Sequence, residues 1–458
     1  MYDLLIRNAV LVTPDGECEK DLAIQNGKIA AFLERGTGEA EREIDASGRY
    51  AFPGIVDPHA HLNEPGWTWR EDYEHGTKAA AVGGVTTVID MPLNNAPSTT
   101  TAQRVKDKIE LVEPSACVDF ALWGGLVPEN FDELEKMDKE GCVAFKAFLS
   151  PSSPDFEHLG YGETYEAMQI IKRFGGRIGF HCEDYSTILH LEEMMRRAGR
   201  FDSRAFLDSR PVVAEMIATE AVIALSKATG CKSYICHISS PDVAQKVKLA
   251  QQEGVDILAE TCVHYLCMNE NDVLERGAFC KCSPPLRTEE ESRRLWDYVL
   301  DGTICAIGSD HSPCTEAEKT TENLGKKVNN IFDAWGGMNG IQTAFQTMYS
   351  EGCGKRGMKP AQLAKLMCEG PARAFGLWGK KGALREGFDA DVVLLDPNKP
   401  WEVTADTLYY KNKISGFLGK TGVGMPVMTI LRGEIIAENG AWIGKKSIGK
   451  VLRKGSMR

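Results

Sequence analysis

The sequence predicts an α/β protein: a (β/α)8 TIM-like barrel over residues 51–379, with a small β-sandwich module formed by both chain ends, residues 1–50 and 380–458. Three observations carry this prediction. Short apolar runs alternate with helix-like stretches through the middle of the chain. Strand-like segments punctuated by turn residues crowd both ends. Side chains of metal-binding type fall at the ends of the middle runs, where barrels of this kind build their sites.

The middle runs number eight: Ile55-Val56, residues 85–90, 118–122, 143–148, 177–181, 233–237, 256–260 and 304–307. Helical patterns lie between them, as over residues 212–228 and 240–253. Alternating strands and helices imply a parallel sheet, and eight repeats imply its closure; an open doubly wound sheet is the structural rival. The ends read differently. Residues 4–7, 9–12, 21–24 and 28–32 are strand candidates, Pro14-Asp-Gly16 is a turn, and Asn26-Gly27 is a strong hairpin signal. The tail repeats the pattern at 390–395, 428–431 and 434–437, with a turn at Arg432-Gly433. Neither end has enough strands for a core of its own, so the two are expected to pair.

Composition excludes several classes. A net charge of −12 with no evident basic patch argues against a nucleic-acid partner. No apolar run approaches the ~18 residues a membrane span needs. The fourteen cysteines are scattered without a CxxC pair, and the start lacks a signal-peptide pattern. Free thiols and a cytoplasmic location are therefore expected.

His59 and His61 follow the first run, Lys146 lies within the fourth, His181 and His237 end the fifth and sixth, and Asp310 follows the eighth. In an extended segment, His59-Ala-His61 points both imidazoles to one side, suiting two positions on one metal ion. His181 and His237 each close an apolar run. Either alone reads as a core histidine, whereas two at equivalent positions read as ligands. Lys146, between Phe145 and Phe148, is costly if charged and unpaired. It is either a snorkelling or ion-paired side chain, or a neutral amine that takes up carbon dioxide to become an anionic carbamate able to tie two cations together. Asp310, in Gly308-Ser-Asp-His-Ser-Pro313, is a turn residue or a ligand that also accepts a proton from bound water.

Together these residues resemble the amidohydrolase superfamily, in its cyclic-amidase branch of dihydroorotases, hydantoinases (dihydropyrimidinases) and allantoinases. The resemblance spans essentially the whole chain and includes the stretch from Gly382 to Val393. It implies two divalent metal ions, zinc foremost, with cobalt, manganese and iron as alternatives. One ion would take His59, His61, Asp310 and an oxygen of carboxylated Lys146; the other would take His181, His237 and the second carbamate oxygen. A hydroxide between them would attack the ring carbonyl while Asp310 carries its proton to the departing nitrogen. His311 and His264 would sit behind the ligands or face the substrate, and a homotetramer is expected.

Departures choose among the branches. Asn63, in His61-Leu-Asn-Glu-Pro-Gly66, stands where dihydroorotases carry the arginine that grips a substrate carboxylate. Pro151 stands where hydantoinases carry a tyrosine. The segments 90–94, 309–314 and 334–337 resemble allantoinases, which implies opening of the allantoin ring to allantoate in purine and ureide catabolism. Asn63, Asn94, His264, Ser283 and Ser312 are the candidate substrate contacts, each with a plainer reading as turn, cap or core residue. A hydantoinase is the alternative. A non-enzymatic scaffold relative is disfavoured because all six ligand positions are intact, and a mononuclear deaminase because such relatives lack the lysine.

Overall fold

In the computed structural model, which describes residues 1–153 and 155–455, all eight middle runs are strands of one parallel sheet. They are Ile55–Ala60, Val85–Asp90, Asp119–Gly125, Ala144–Phe148, Arg177–His181, Lys232–Ile235, Ile257–Cys262 and Ala306–Gly308. Each pairs in parallel with the next in chain order, as Thr87 with Asp119, Phe145 with Ile178 and Glu260 with Ala306. Ala60 then bridges His311 in parallel, and the His61 amide donates to the His311 carbonyl at 2.8 Å. The eighth strand thereby returns to the first, which rules out the open sheet.

Residues 85–90 and 119–125 are buried throughout, as expected of parallel strands covered by helices outside and packed side chains inside. The helices begin and end where local chemistry dictates. Val212–Thr229 starts after Pro211 and stops at Gly230, whose φ of 67° suits only a residue free to turn left-handed. Pro241–Gln252 has proline in its first turn and the Ser240 side chain accepting from the Asp242 amide.

The chain ends pair as expected. One sheet orders Lys28–Leu33, Asp21–Gln25, Tyr2–Arg7 and Ala40–Asp45. A second sheet of seven strands joins Tyr50–Pro53, Val10–Thr13 and Gly16–Cys18 from the start to Val392–Glu402, Thr421–Leu431, Glu434–Glu438 and Ala441–Trp442 from the tail. Both sheets feed one core that includes Leu4, Ile24, Leu11, Val392 and Ile430. Both expected hairpin turns are present: Asn26-Gly27 (φ 52° and 71°) and Arg432-Gly433 (φ 47° and 79°). The tail strands run longer than their apolar cores because they pair with each other past a bulge. Where module and barrel meet, buried Lys381 lies 2.6 Å from Asp119, 2.7 Å from Asp391 and 3.0 Å from Asp389. The fourteen cysteines are free, and no helix among the described residues is long and apolar enough to cross a membrane.

Candidate active site

The six predicted ligand residues all line one cavity of about 360 Å³ at the C-terminal mouth of the barrel. The ligand atoms of His59, His61 and Asp310 lie within 4.8 Å of one another, with Asp310 Oδ1 at 3.4 Å from His59 Nε2 and 3.5 Å from His61 Nε2. Across the mouth, His181 Nδ1 lies 3.1 Å from His237 Nε2. His59 and His237 bring the two groups together, with ring centroids 5.3 Å apart. Lys146 has no exposed surface, and its Nζ has no hydrogen-bond partner. The Phe148 ring centroid lies 5.1 Å from that nitrogen.

Local backbone explains how strand ends deliver these groups. His181 completes its strand, whereas the sixth strand ends at Ile235 and His237 follows two residues later at φ 41°. Asp310, Asn63 and Asn94 are also left-handed, at φ 44°, 56° and 63°. Non-glycine residues in this region cost energy and gather where surrounding structure holds a site in shape.

Charge distribution fits cation binding. Burial opposes a charged ring on His59, but the Glu260 and Asp310 carboxylates outweigh it and raise the pKa to about 10. The field that favours a proton there favours any cation. Burial lowers His61 and His181, against the pull of Asp310 and Glu183 respectively, and lowers His237 furthest, with the Lys146 charge adding to the effect. Burial works against ionised Asp310, yet the His59 and His61 rings hold its carboxyl well below the usual range. Four imidazoles, a carboxylate and an amine without a partner form a donor set suited to divalent ions.

The other candidates divide. Asn94, Ser283 and Ser312 line the cavity, as does Pro151. Asn63 is buried and donates through Nδ2 to the Asn94 carbonyl at 2.6 Å, so it fixes the Asn94 backbone from outside the cavity lining. His264 also lies outside that lining, buried, with Nε2 lacking a partner and its pKa lowered by burial to about 4. His311 is buried beneath the site, its Nδ1 accepting from the Gly340 amide at 3.1 Å.

Several residues escaped the sequence reading. Glu260 Oε1 meets His59 Nδ1 at 2.8 Å while Tyr234 donates to Oε2 at 2.8 Å, which orients the imidazole. Glu183 lies 2.7 Å from His181 Nε2 and accepts from Arg210 at 2.6 Å. Lone acids, one inside an apolar strand and one just past a strand-end histidine, were the available signal. Trp335, on the far wall, stacks on buried Arg70 (3.7 Å), which is paired with Glu318 at 2.6 Å. The Trp335 and Gly337 carbonyls accept from Lys319, at 2.9 and 2.7 Å.

Known proteins share this architecture. A sequence profile described as the Amidohydrolase family matches residues 50–436. The allantoinase of Salmonella newport (strain SL254) is 37% identical over 440 residues, 95% of each chain, and that of Salmonella typhimurium (strain LT2) gives the same figures. The L-hydantoinase (dihydropyrimidinase) of Arthrobacter aurescens superposes with a TM-score of 0.95 at 34% identity, covering 99% of this chain and 100% of that one. The dihydropyrimidinase of Brevibacillus agri superposes at 0.92 with 26% identity and 99% coverage of both. A profile that runs from the lead-in to the first barrel strand into the module strand Glu434–Glu438 leaves one conclusion: this chain belongs to the amidohydrolase family.

Proposed function

We propose that this chain hydrolyses a ring amide, opening allantoin to allantoate, with two divalent ions at the barrel mouth. The observation that carries the reading is Lys146: a fully buried amine without a hydrogen-bond partner, lining one cavity with four histidines and Asp310. An ammonium so placed is costly. If the neutral amine attacks carbon dioxide and releases one proton to solvent, the product is a carbamate, an anion that suits a cation-binding site. His59, His61, Asp310 and this carbamate would hold one ion, and His181, His237 and the carbamate the other. Bound ions supply the charge that acidifies water and polarises a carbonyl. Zinc heads the candidates, followed by cobalt, manganese and iron.

The chain's own groups do the rest. Glu260 and Glu183 fix the rings of His59 and His181. The Asp310 carboxylate, beside His59 and His61, takes a proton from the attacking water and returns it to the departing ring nitrogen. Asn94, Ser283 and Ser312 line the cavity wall and would bond a neutral ring rich in donors and acceptors. Support for allantoin comes from the allantoinase relatives at 37% identity and from Pro151 on the cavity wall where hydantoinases carry a tyrosine. The hydantoinase reading keeps one argument, the fold likeness at a TM-score of 0.95.

A panel of allantoin, hydantoin, dihydrouracil and dihydroorotate, followed by ring opening, separates the two. Allantoin should dominate; dominant turnover of dihydrouracil would transfer the assignment to the hydantoinases. The proposal extends to a homotetramer in the cytoplasm and to a module comprising residues 1–50 and 380–458, both open to light scattering, fractionation and limited proteolysis.

A further inference from the structure

Asp310 belongs to a second group of ligand-type atoms as well as the first. The Cys262 sulfur, a ring nitrogen of His264 and an Asp310 oxygen also lie within 4.8 Å of one another. We propose that Cys262, His264 and Asp310 form a further cation site, selective for thiophilic divalent ions such as cadmium or excess zinc, whose occupation inhibits the protein by drawing Asp310 away from His59 and His61.

Four observations converge on it. The donors come from two adjoining strand ends: Ile257–Cys262 finishes on the thiol, the short helix Val263–Cys267 carries His264, and Asp310 follows Ala306–Gly308. Donors around a tetrahedral ion with bonds of about 2.0–2.3 Å stand roughly 3.5 Å apart, so modest side-chain movement closes the set. His264 Nε2 is an orphan: the residue is 1% exposed, and the atom has no hydrogen-bond partner. Such a group ordinarily has a partner, and a cation would supply one. Finally, Cys262 is fully buried beside anions. Its sulfur lies 3.9 Å from Glu260 Oε1 and within 4.8 Å of an Asp310 oxygen. Two carboxylates beside a buried sulfur suit a bound cation.

Selectivity follows from the donors. The first site offers nitrogen and oxygen alone, whereas this one adds sulfur, which favours soft ions. Binding forms one sulfur–metal bond and releases the thiol proton to solvent, with no change of oxidation state. Cys262 and His264 lie outside the cavity lining while Asp310 is part of it, so the carboxylate is the element common to both sites. The inhibitory effect rests on the hydrolase reading above; the binding does not.

The test titrates the purified holoprotein with cadmium, following thiolate-to-cadmium absorption in the near ultraviolet, proton release and the ring-opening rate. In the wild type, one equivalent should give a band, one proton and a parallel loss of rate. Cys262→Ser should lack that equivalent and need about tenfold or more cadmium for the same inhibition, with its uninhibited rate unchanged. Cys262→Ala, smaller and apolar, provides the same comparison if the serine variant folds poorly. An identical band and identical inhibition in both variants would overturn the proposal. A Cys262-dependent band without loss of rate would overturn the competition for Asp310. Absence of ring opening altogether would remove the hydrolase reading, yet leave the band and proton count to decide whether the site binds.

Discussion

Lys381, at the junction of module and barrel, and Lys146, at the barrel mouth, are both hidden from solvent, at 2% and 0% exposure. Lys381 is met by three aspartates within 3.0 Å, and their charges overcome burial to raise its pKa. Lys146 has histidines and phenylalanines for neighbours and no hydrogen-bond partner. The first is a structural tie, in which burial and pairing offset each other. The second is stable as an ammonium only at a cost, which chemistry on the nitrogen would relieve. Burial is common to both; the partner makes the difference.

Replacing each lysine should break different properties. The largest effect is expected from Lys146→Ala: loss of several kcal/mol of catalytic stabilisation corresponds to about a thousandfold or more in rate. Metal content should fall with it, measured by elemental analysis. Lys146→Met, similar in length but apolar, should melt no lower than the wild type while remaining inactive. A Lys146→Met variant that retained both metals would refute the assigned role. Lys381→Ala should reverse the pattern. Leaving buried Asp391 without its cation, and Asp119 with Arg432 alone, should cost about 3–5 kcal/mol in denaturant unfolding, with turnover per folded molecule preserved.

Glu71 sharpens the comparison from the anionic side. It is a buried acid whose Oε2 has no hydrogen-bond partner and lies 3.5 Å from His311 Nε2. Burial raises its pKa from 4.5 to about 8, against the Lys411 amide that donates to its other oxygen. Between those values the folded chain holds a proton that the unfolded chain has lost. Its contribution to stability is therefore complete below about pH 4.5 and is lost as the pH rises through about 8. The expected slope is at most about 1.4 kcal/mol per pH unit. Glu71→Gln, a mimic of the protonated form, should flatten that slope; denaturant midpoints at several pH values check it, and an unchanged slope would place the titrating group elsewhere.

What the sequence made legible follows from what is local. The apolar runs mark the strands because parallel strands are covered on both faces, and chain position alone then puts His59, His61, His181 and Asp310 at one mouth. Asn26-Gly27 declares its turn because asparagine and glycine both accept left-handed backbone, and at Arg432-Gly433 the glycine alone carries that signal. Less legible were features made by pairs far apart. Glu260 looks like a stray acid until its partner, 201 residues away, is seen to be His59. Asn63 reads from the sequence as a turn residue or a substrate contact, and only the fold shows its amide on the Asn94 carbonyl. The two-residue step from Ile235 to His237, turned left-handed, is likewise imposed by packing at the mouth.

The seam of the barrel has a consequence for how such a chain matures. Asp57 Oδ1 accepts from the Ser309 amide across 252 positions, and Ala60 meets His311 beside it. During synthesis His59 and His61 would leave the ribosome well before the segment that completes their surroundings, and contacts so distant are late to form. Turnover is then a readout of finished folding: a nascent or truncated chain lacking the eighth strand would have most of its histidines and no working centre.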